Sequence, residues 1–364
     1  MSYTTPFTTD VTLDWEAFVH CVARTREPDR AHMIELFLDR EVKDAICARY
    51  GLAESLDPDD PAFYVEREVI LQRFLGYDYV LGQPLGVAMP THTLVAQDTA
   101  DLARAGGRNF MEEHRGPITN WDEFEAYPWP DPKDADFRIL EWLQEYLPDD
   151  MCIIGGLIAH FAEHISWLMG YETLCYALYD QRDLVQAIAD RTLEIDRQVL
   201  ARLLEFDRVK LIWGSDDMGF RSQPLISPAD MRELVLPGHK ALAQRVHDAG
   251  RLYILHSCGN LETIMYDLID DVQIDARHSW EDTIMDVRQA KALWGERMAI
   301  LGGIDMDFLC RAGEAAIRAR VRDTLDVCMP GGGYCLGTGN SVANYVPLDH
   351  YLAMLDEGRK WAKG

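Results

Sequence analysis

The sequence predicts a single (β/α)₈ TIM barrel with an N-terminal helical lead-in and an excursion between strands 2 and 3. Eight short aliphatic or β-branched runs alternate with longer stretches of helical periodicity from end to end. No Gly/Ser-rich linker breaks that alternation, which favours one closed parallel barrel over two domains. The length of 364 residues suits one such barrel of above-average size, so 1–364 read as one domain.

The lead-in comes first, with Trp15, Phe18, Val19 and Val22 at helical spacing. Predicted strands follow at 31–38, 77–81, 151–154, 211–215, 252–256, 272–276, 298–302 and 333–337. Helices are expected at 183–206, 228–249 and 314–327. In the second of these, Ser227-Pro228 supplies a capping serine followed by proline in the first turn. From 82 to 150 the chain is rich in proline and acids, including Trp129-Pro130-Asp131-Pro132. This stretch reads as an excursion covering the active-site mouth.

The formal charge is −26, from 35 basic and 61 acidic residues, which opposes a nucleic-acid partner. No run of about 18 apolar residues occurs, so no membrane span is expected. Met1-Ser2-Tyr3-Thr4-Thr5-Pro6 lacks the pattern of a signal peptide, and the expected location is cytoplasmic. Eight dispersed cysteines read as reduced thiols.

In a parallel barrel the side chains at the C-terminal ends of strands converge on the active site. The fifth predicted strand runs into His256-Ser257-Cys258-Gly259-Asn260. Residues i and i+2 of an extended chain share a side, so His256 and Cys258 aim at one point. Imidazole and thiolate are both zinc ligands, and a catalytic zinc needs further ligands from other strand ends. Cys335 and His278 are the candidates for that role. Asp216-Asp217 and Asp305 follow the fourth and seventh strands as ligands, bases or substrate anchors. Glu35, in the first strand, either points to the polar mouth, the favoured expectation, or has a buried partner. His160-Phe161-Ala162-Glu163-His164 has the H-x-x-E-H spacing of inverted zinc proteases, but a barrel is the wrong context for that class. His160 and His164 are instead candidates for contact with substrate or metal. Gly337, Gly339 and Asn340 close the eighth strand, where such barrels bind anionic cofactor groups. No P-loop or dinucleotide fingerprint is present, so no nucleotide cofactor is expected.

Several of these motifs together resemble the uroporphyrinogen decarboxylase superfamily, which includes the cobamide-dependent methyltransferases. They are Arg26-Glu27-Pro28-Asp29-Arg30, Trp129-Pro130-Asp131-Pro132, Ile226-Ser227-Pro228, Leu255-His256-Ser257-Cys258-Gly259-Asn260, Leu301-Gly302-Gly303-Ile304-Asp305 and Val346-Pro347-Leu348-Asp349. The decarboxylase itself carries an Arg-rich stretch where this chain reads Met33-Ile34-Glu35-Leu36-Phe37-Leu38, and its G-H-G motif is replaced by Gly337-Thr338-Gly339. The chain is more similar to the methyltransferase branch. That resemblance implies zinc on His256, Cys258 and a later cysteine, a corrinoid co-substrate carried on a partner protein, and a homodimer. The later cysteine's position falls near Asn340, while the nearest thiol is Cys335. Cys335, Asn340, His278 or an aspartate therefore completes the set. The implied reaction moves a methyl group between a corrinoid and a small substrate such as a thiol. The alternatives are a decarboxylase-like lyase on a smaller carboxylated substrate, using Asp217 or Asp305, and a barrel that binds a tetrapyrrole or corrinoid without turnover.

Overall fold

In the computed structural model, which describes residues 5–363, seven parallel strands curl into a half-barrel surrounded by helices. Residues 1–4, on which most of the signal-peptide reading falls, lie outside the described residues. The strands are β1 (Tyr79–Gly82), β4 (Cys152–Ile158), β5 (Val209–Ser215), β6 (Leu252–His256), β7 (Ala276–His278), β8 (Ala299–Leu301) and β9 (Tyr334–Cys335). They are neighbours in that order, all pairs being parallel. Between β1 and β4 lies an exposed antiparallel ribbon, β2 (Thr93–Ala96) and β3 (Arg108–Met111). Strand interiors are almost wholly buried, as expected of a parallel sheet covered by helices on its outer face.

Segment 31–38 departs from the expected first strand. Parallel bridges Met33–Leu336 and Leu38–Val342 lay it beside the last strand, so it occupies the remaining sector of the wall. On its other side the Tyr79 hydroxyl replaces a ladder: it donates to Glu35 O at 2.8 Å and accepts from Glu35 N–H at 2.9 Å. A side chain thus satisfies backbone groups that a strand would pair. The expected strand at 272–276 is also displaced. Val272 ends a π-helical turn, Gln273 takes φ 65°, and the strand begins at Ala276.

The lead-in is the helix Trp15–Val22, capped by Asp14, with Phe18 and Val22 buried. The expected helix 228–249 is present and runs without a gap from Pro228 to Asp248, but it is distorted ahead of Pro237. Proline has no N–H to donate, and the preceding Met231–Val235 turn widens to π geometry before Leu236–Asp248 resumes. The excursion holds the ribbon and helices Trp121–Ala126 and Arg138–Tyr146. Arg108 donates to Asn344 at 2.6 Å, Asn344 donates to Asp98 at 2.6 Å, and Arg104 pairs with Glu41 at 3.0 Å. These contacts fasten the ribbon to the rim where segment 31–38 and β9 end.

Candidate metal centre at the barrel mouth

Register does the first part of the assembly. Ser215 of β5 pairs with His256 of β6, so the loop Asp216-Asp217 runs beside Ser257-Cys258. Asp216 N–H donates to His256 O at 3.0 Å. Buried Ser257 ties the loops together, its amide donating to His278 O at 2.6 Å and its hydroxyl accepting Met218 N–H at 3.1 Å. The chain then turns at Gly259, where φ is 86° and a Cβ would lie 2.1 Å from Gly219 O. Only glycine fits there.

These constraints bring Asp217, His256 and Cys258 together. Among the described residues this is the one group of three or more potential ligand side chains, with donor atoms all within 4.8 Å of one another. His256 Nε2 lies 3.3 Å from Asp217 Oδ1 and 3.5 Å from Cys258 Sγ. Asp217 Oδ1 also accepts Cys258 N–H at 2.9 Å. Burial works against the Asp217 charge, yet His256 and the Cys258 amide hold its carboxyl well below the usual range. Burial first, then the Asp217 charge, pushes the Cys258 thiol well above its ordinary value. Carboxylate and thiolate therefore oppose each other, and a divalent cation between them would stabilise both. One carboxylate, one imidazole and one thiol match the three-ligand set of an open zinc site.

The other predicted site residues fall elsewhere. His278 sits behind His256, Nδ1 to Nδ1 at 2.8 Å, with its Nε2 on Thr338 O at 3.2 Å. Both ring nitrogens are engaged, so it supports a ligand instead of being one. Cys335 is fully buried in β9, hydrogen-bonded with Cys21 instead of reaching the mouth. Asn340 donates its Nδ2 to Cys258 Sγ at 3.1 Å while its Oδ1 accepts Ser341 N–H at 2.8 Å. An amide nitrogen has no lone pair to offer a metal, so Asn340 is a partner of the sulfur.

Gly337 and Gly339 serve close packing: a Cβ would lie 1.8 Å from Ile34 O or 2.2 Å from Trp280 O respectively. The Thr338 and Gly339 amides are committed to Glu35 and to Ile304 O, so this turn does not present the amides an anionic cofactor group would need. Asp305 caps the helix Met306–Arg311 through Phe308 N–H and takes Asp282 N–H on its other oxygen, both at 2.9 Å. Glu35 is buried away from solvent and bound to Thr338; burial raises its carboxyl to about 8 against the pull of those hydrogen bonds.

His160 pairs with Glu163 at 2.6 Å, beside His164, and none of the three joins the metal-ligand cluster. Burial acts to lower the His160 pKa, but Glu163 lifts it above the ordinary value. Their helix, Phe161–Met169, is anchored by Asp216, which accepts Ala162 N–H and Glu163 N–H at 2.9 Å and bonds His239 Nε2 at 2.8 Å. Ser257 and Thr338 are site-building residues that the sequence reading did not single out, whereas Asp216 was offered with Asp217 as a candidate at the end of the fourth predicted strand.

The family profile for uroporphyrinogen decarboxylase (URO-D) matches residues 112–361, which include the whole cluster. The chain belongs to the uroporphyrinogen decarboxylase family. No curated protein matches it. Among solved structures, a methyltransferase from Methanosarcina mazei superposes with a TM-score of 0.67 at 18% identity, over 94% of this chain and 97% of that one. A putative vitamin-B12 independent methionine synthase from Listeria monocytogenes aligns with a TM-score of 0.38 at 13% identity, over 92% and 95% of the two chains. The first likeness places this uroporphyrinogen decarboxylase family member in a shared fold. Among its described residues no helix is long and apolar enough to cross a membrane.

Proposed function

We propose that this protein is a methyltransferase that passes a methyl group between a corrinoid, carried on a partner protein, and a small substrate such as a thiol. The observation that carries this reading is the convergence of Asp217 Oδ1, His256 Nε2 and Cys258 Sγ at one end of the barrel. Asp217, His256 and Cys258 would hold a zinc ion. Bound there, zinc supplies Lewis acidity that lowers the pKa of a coordinated thiol, giving a nucleophile at neutral pH.

The chain's own residues do the rest. Asn340 holds the Cys258 sulfur by its amide, and Ser257 and the Gly259 turn keep the loop in place. A cavity of about 1030 Å³ lies beside segment 31–38, β1 and β4, with Phe37, Leu81, Trp142 and Leu157 on its wall and none of the three ligand candidates lining it. Its size suits a bulky co-substrate better than a small thiol alone. The decarboxylase reading is weaker, because Glu35 stands in the region where the decarboxylase carries its arginines.

Two measurements test the proposal. Protein purified without chelators should carry close to one equivalent of zinc, and His256→Ala should lose it. Methylcobalamin incubated with the protein and a thiol should then lose its methyl-cobalt spectrum. Well under one equivalent of metal, unchanged in His256→Ala, would sink the zinc centre. A full metal complement with no demethylation of free or protein-bound methylcobamide would sink the reaction.

A further inference from the structure

The backbone of the loop that presents Cys258 is held on all sides. Ser257 N–H donates to His278 O at 2.6 Å, Cys258 N–H to Asp217 Oδ1 at 2.9 Å and Asn260 N–H to Phe220 O at 2.8 Å. Cys258 O accepts the Ser257 hydroxyl at 3.3 Å. The two carbonyls that flank it, Ser257 O and Gly259 O, converge on one nitrogen, Arg277 Nη2, at 3.4 Å and 3.1 Å. Ser257 O also accepts Ser279 N–H at 3.4 Å, whereas Gly259 O has no second donor among the described residues.

Arg277 reaches this loop from outside the barrel. On β7 the His278 ring faces His256, so the neighbouring Arg277 side chain lies on the opposite face of the sheet. Its guanidinium stands 4.4 Å over the Trp280 ring, with a long contact from Nη1 to Met265 Sδ at 3.8 Å. Trp280 is itself anchored, its indole N–H on Arg277 O and its amide on Gly339 O, both at 3.3 Å. Arg277 is only 4% exposed and its Nε has no hydrogen-bond partner. The Glu281 charge reaches it, but no side-chain hydrogen bond joins the two. A buried arginine ordinarily brings a carboxylate partner. The oxygens that meet this one are the main-chain carbonyls on either side of Cys258.

Ser257 C=O and Cys258 N–H belong to the same peptide plane. Arg277 holds its oxygen end and Asp217 its nitrogen end, so the plane cannot turn without losing a charge-assisted hydrogen bond. We propose that Arg277 is a positioning residue of the metal centre, its guanidinium clamping the carbonyls on both sides of Cys258 and so aiming the sulfur at His256 and Asp217. Arg277 makes no hydrogen bond to the side chains of the three ligand candidates. The proposal rests on reading the cluster as a metal site, but the clamp itself can be measured without metal.

The test pairs amide exchange on chelator-treated full-length protein with cobalt(II) titration of the same samples. Arg277→Met keeps an apolar stem against Trp280 and removes the clamp. It should speed exchange of the Cys258 and Asn260 amides by about 10–100-fold, as expected for losing a hydrogen bond to a charged group, with β5 and β6 unchanged. Cobalt affinity should fall by about 10–100-fold, the usual effect of losing an outer-shell partner, and the thiolate-to-cobalt absorption band should weaken. Arg277→Lys keeps the charge, but its ammonium ends short of the carbonyls and has no flat face for Trp280, so it should behave like Arg277→Met. If Arg277→Met does not fold, Arg277→Lys carries the same comparison. Wild-type exchange and cobalt binding in either variant overturns the clamp, as does faster exchange spread evenly through β5 and β6. A wild type that binds no cobalt sinks the metal reading, while exchange at Cys258 still decides for or against the clamp.

Discussion

At Cys258 the sulfur meets His256 and Asn340, while its own backbone amide is held by Asp217. The i, i+2 alternation at a strand end made the pairing of His256 with Cys258 legible in the sequence. Asp217 was legible only as a candidate, because its partner depends on how β5 aligns with β6. Cys335 misled for the same reason: sequence shows a thiol near the last strand's end, not that it faces Cys21. Two residue-level predictions follow from the charges. Asp217→Asn should lower the pKa of Cys258 in metal-free protein, since it removes the Asp217 charge while burial and the Glu281 charge remain; alkylation rate against pH reads this, and an unchanged profile contradicts it. Glu35 carries a carboxyl raised from 4.5 to about 8, so the folded state binds the extra proton between those values. Stability should fall as pH rises through that window, and Glu35→Gln should flatten the decline in urea midpoints. Parallel curves for the two proteins would refute the protonated state.

Elements turn these residues into a site. The β5–β6 register, Asp216 on the first turn of Phe161–Met169 and Ser257 between two loops hold the mouth together. Removing one partner of a buried, hydrogen-bonded charge costs about 3–5 kcal/mol. Asp216→Ala should therefore destabilise the fold by about that much and raise amide exchange in the first turn of Phe161–Met169. A loss under about 1 kcal/mol would show that the helix start does not depend on this carboxylate. Most strands were readable as aliphatic runs between turns. Segment 31–38 was not, because its apolar pattern matches a strand while a tyrosine hydroxyl takes the place of its ladder. The run ending at Ala276 failed differently: a short apolar stretch fits a helical turn as well as a strand.

For the whole molecule, fold class was the most legible property, because eight alternations of strand and helix leave few topologies open. The net charge of −26 bears on partners, favouring a docking protein with a complementary basic face. On the proposed reading, binding of a corrinoid protein should weaken as salt rises, and affinity independent of salt would argue against this charge-led docking. The claim at the centre is the ligand set, and X-ray absorption at the zinc edge tests it most directly. Zinc held by Asp217, His256 and Cys258 should show a shell with a single sulfur at about 2.3 Å and the remaining nitrogen or oxygen ligands at about 2.0–2.2 Å, with the oxygen share reduced in Asp217→Ala. A second sulfur in the shell, or a shell unchanged by Asp217→Ala, would contradict it.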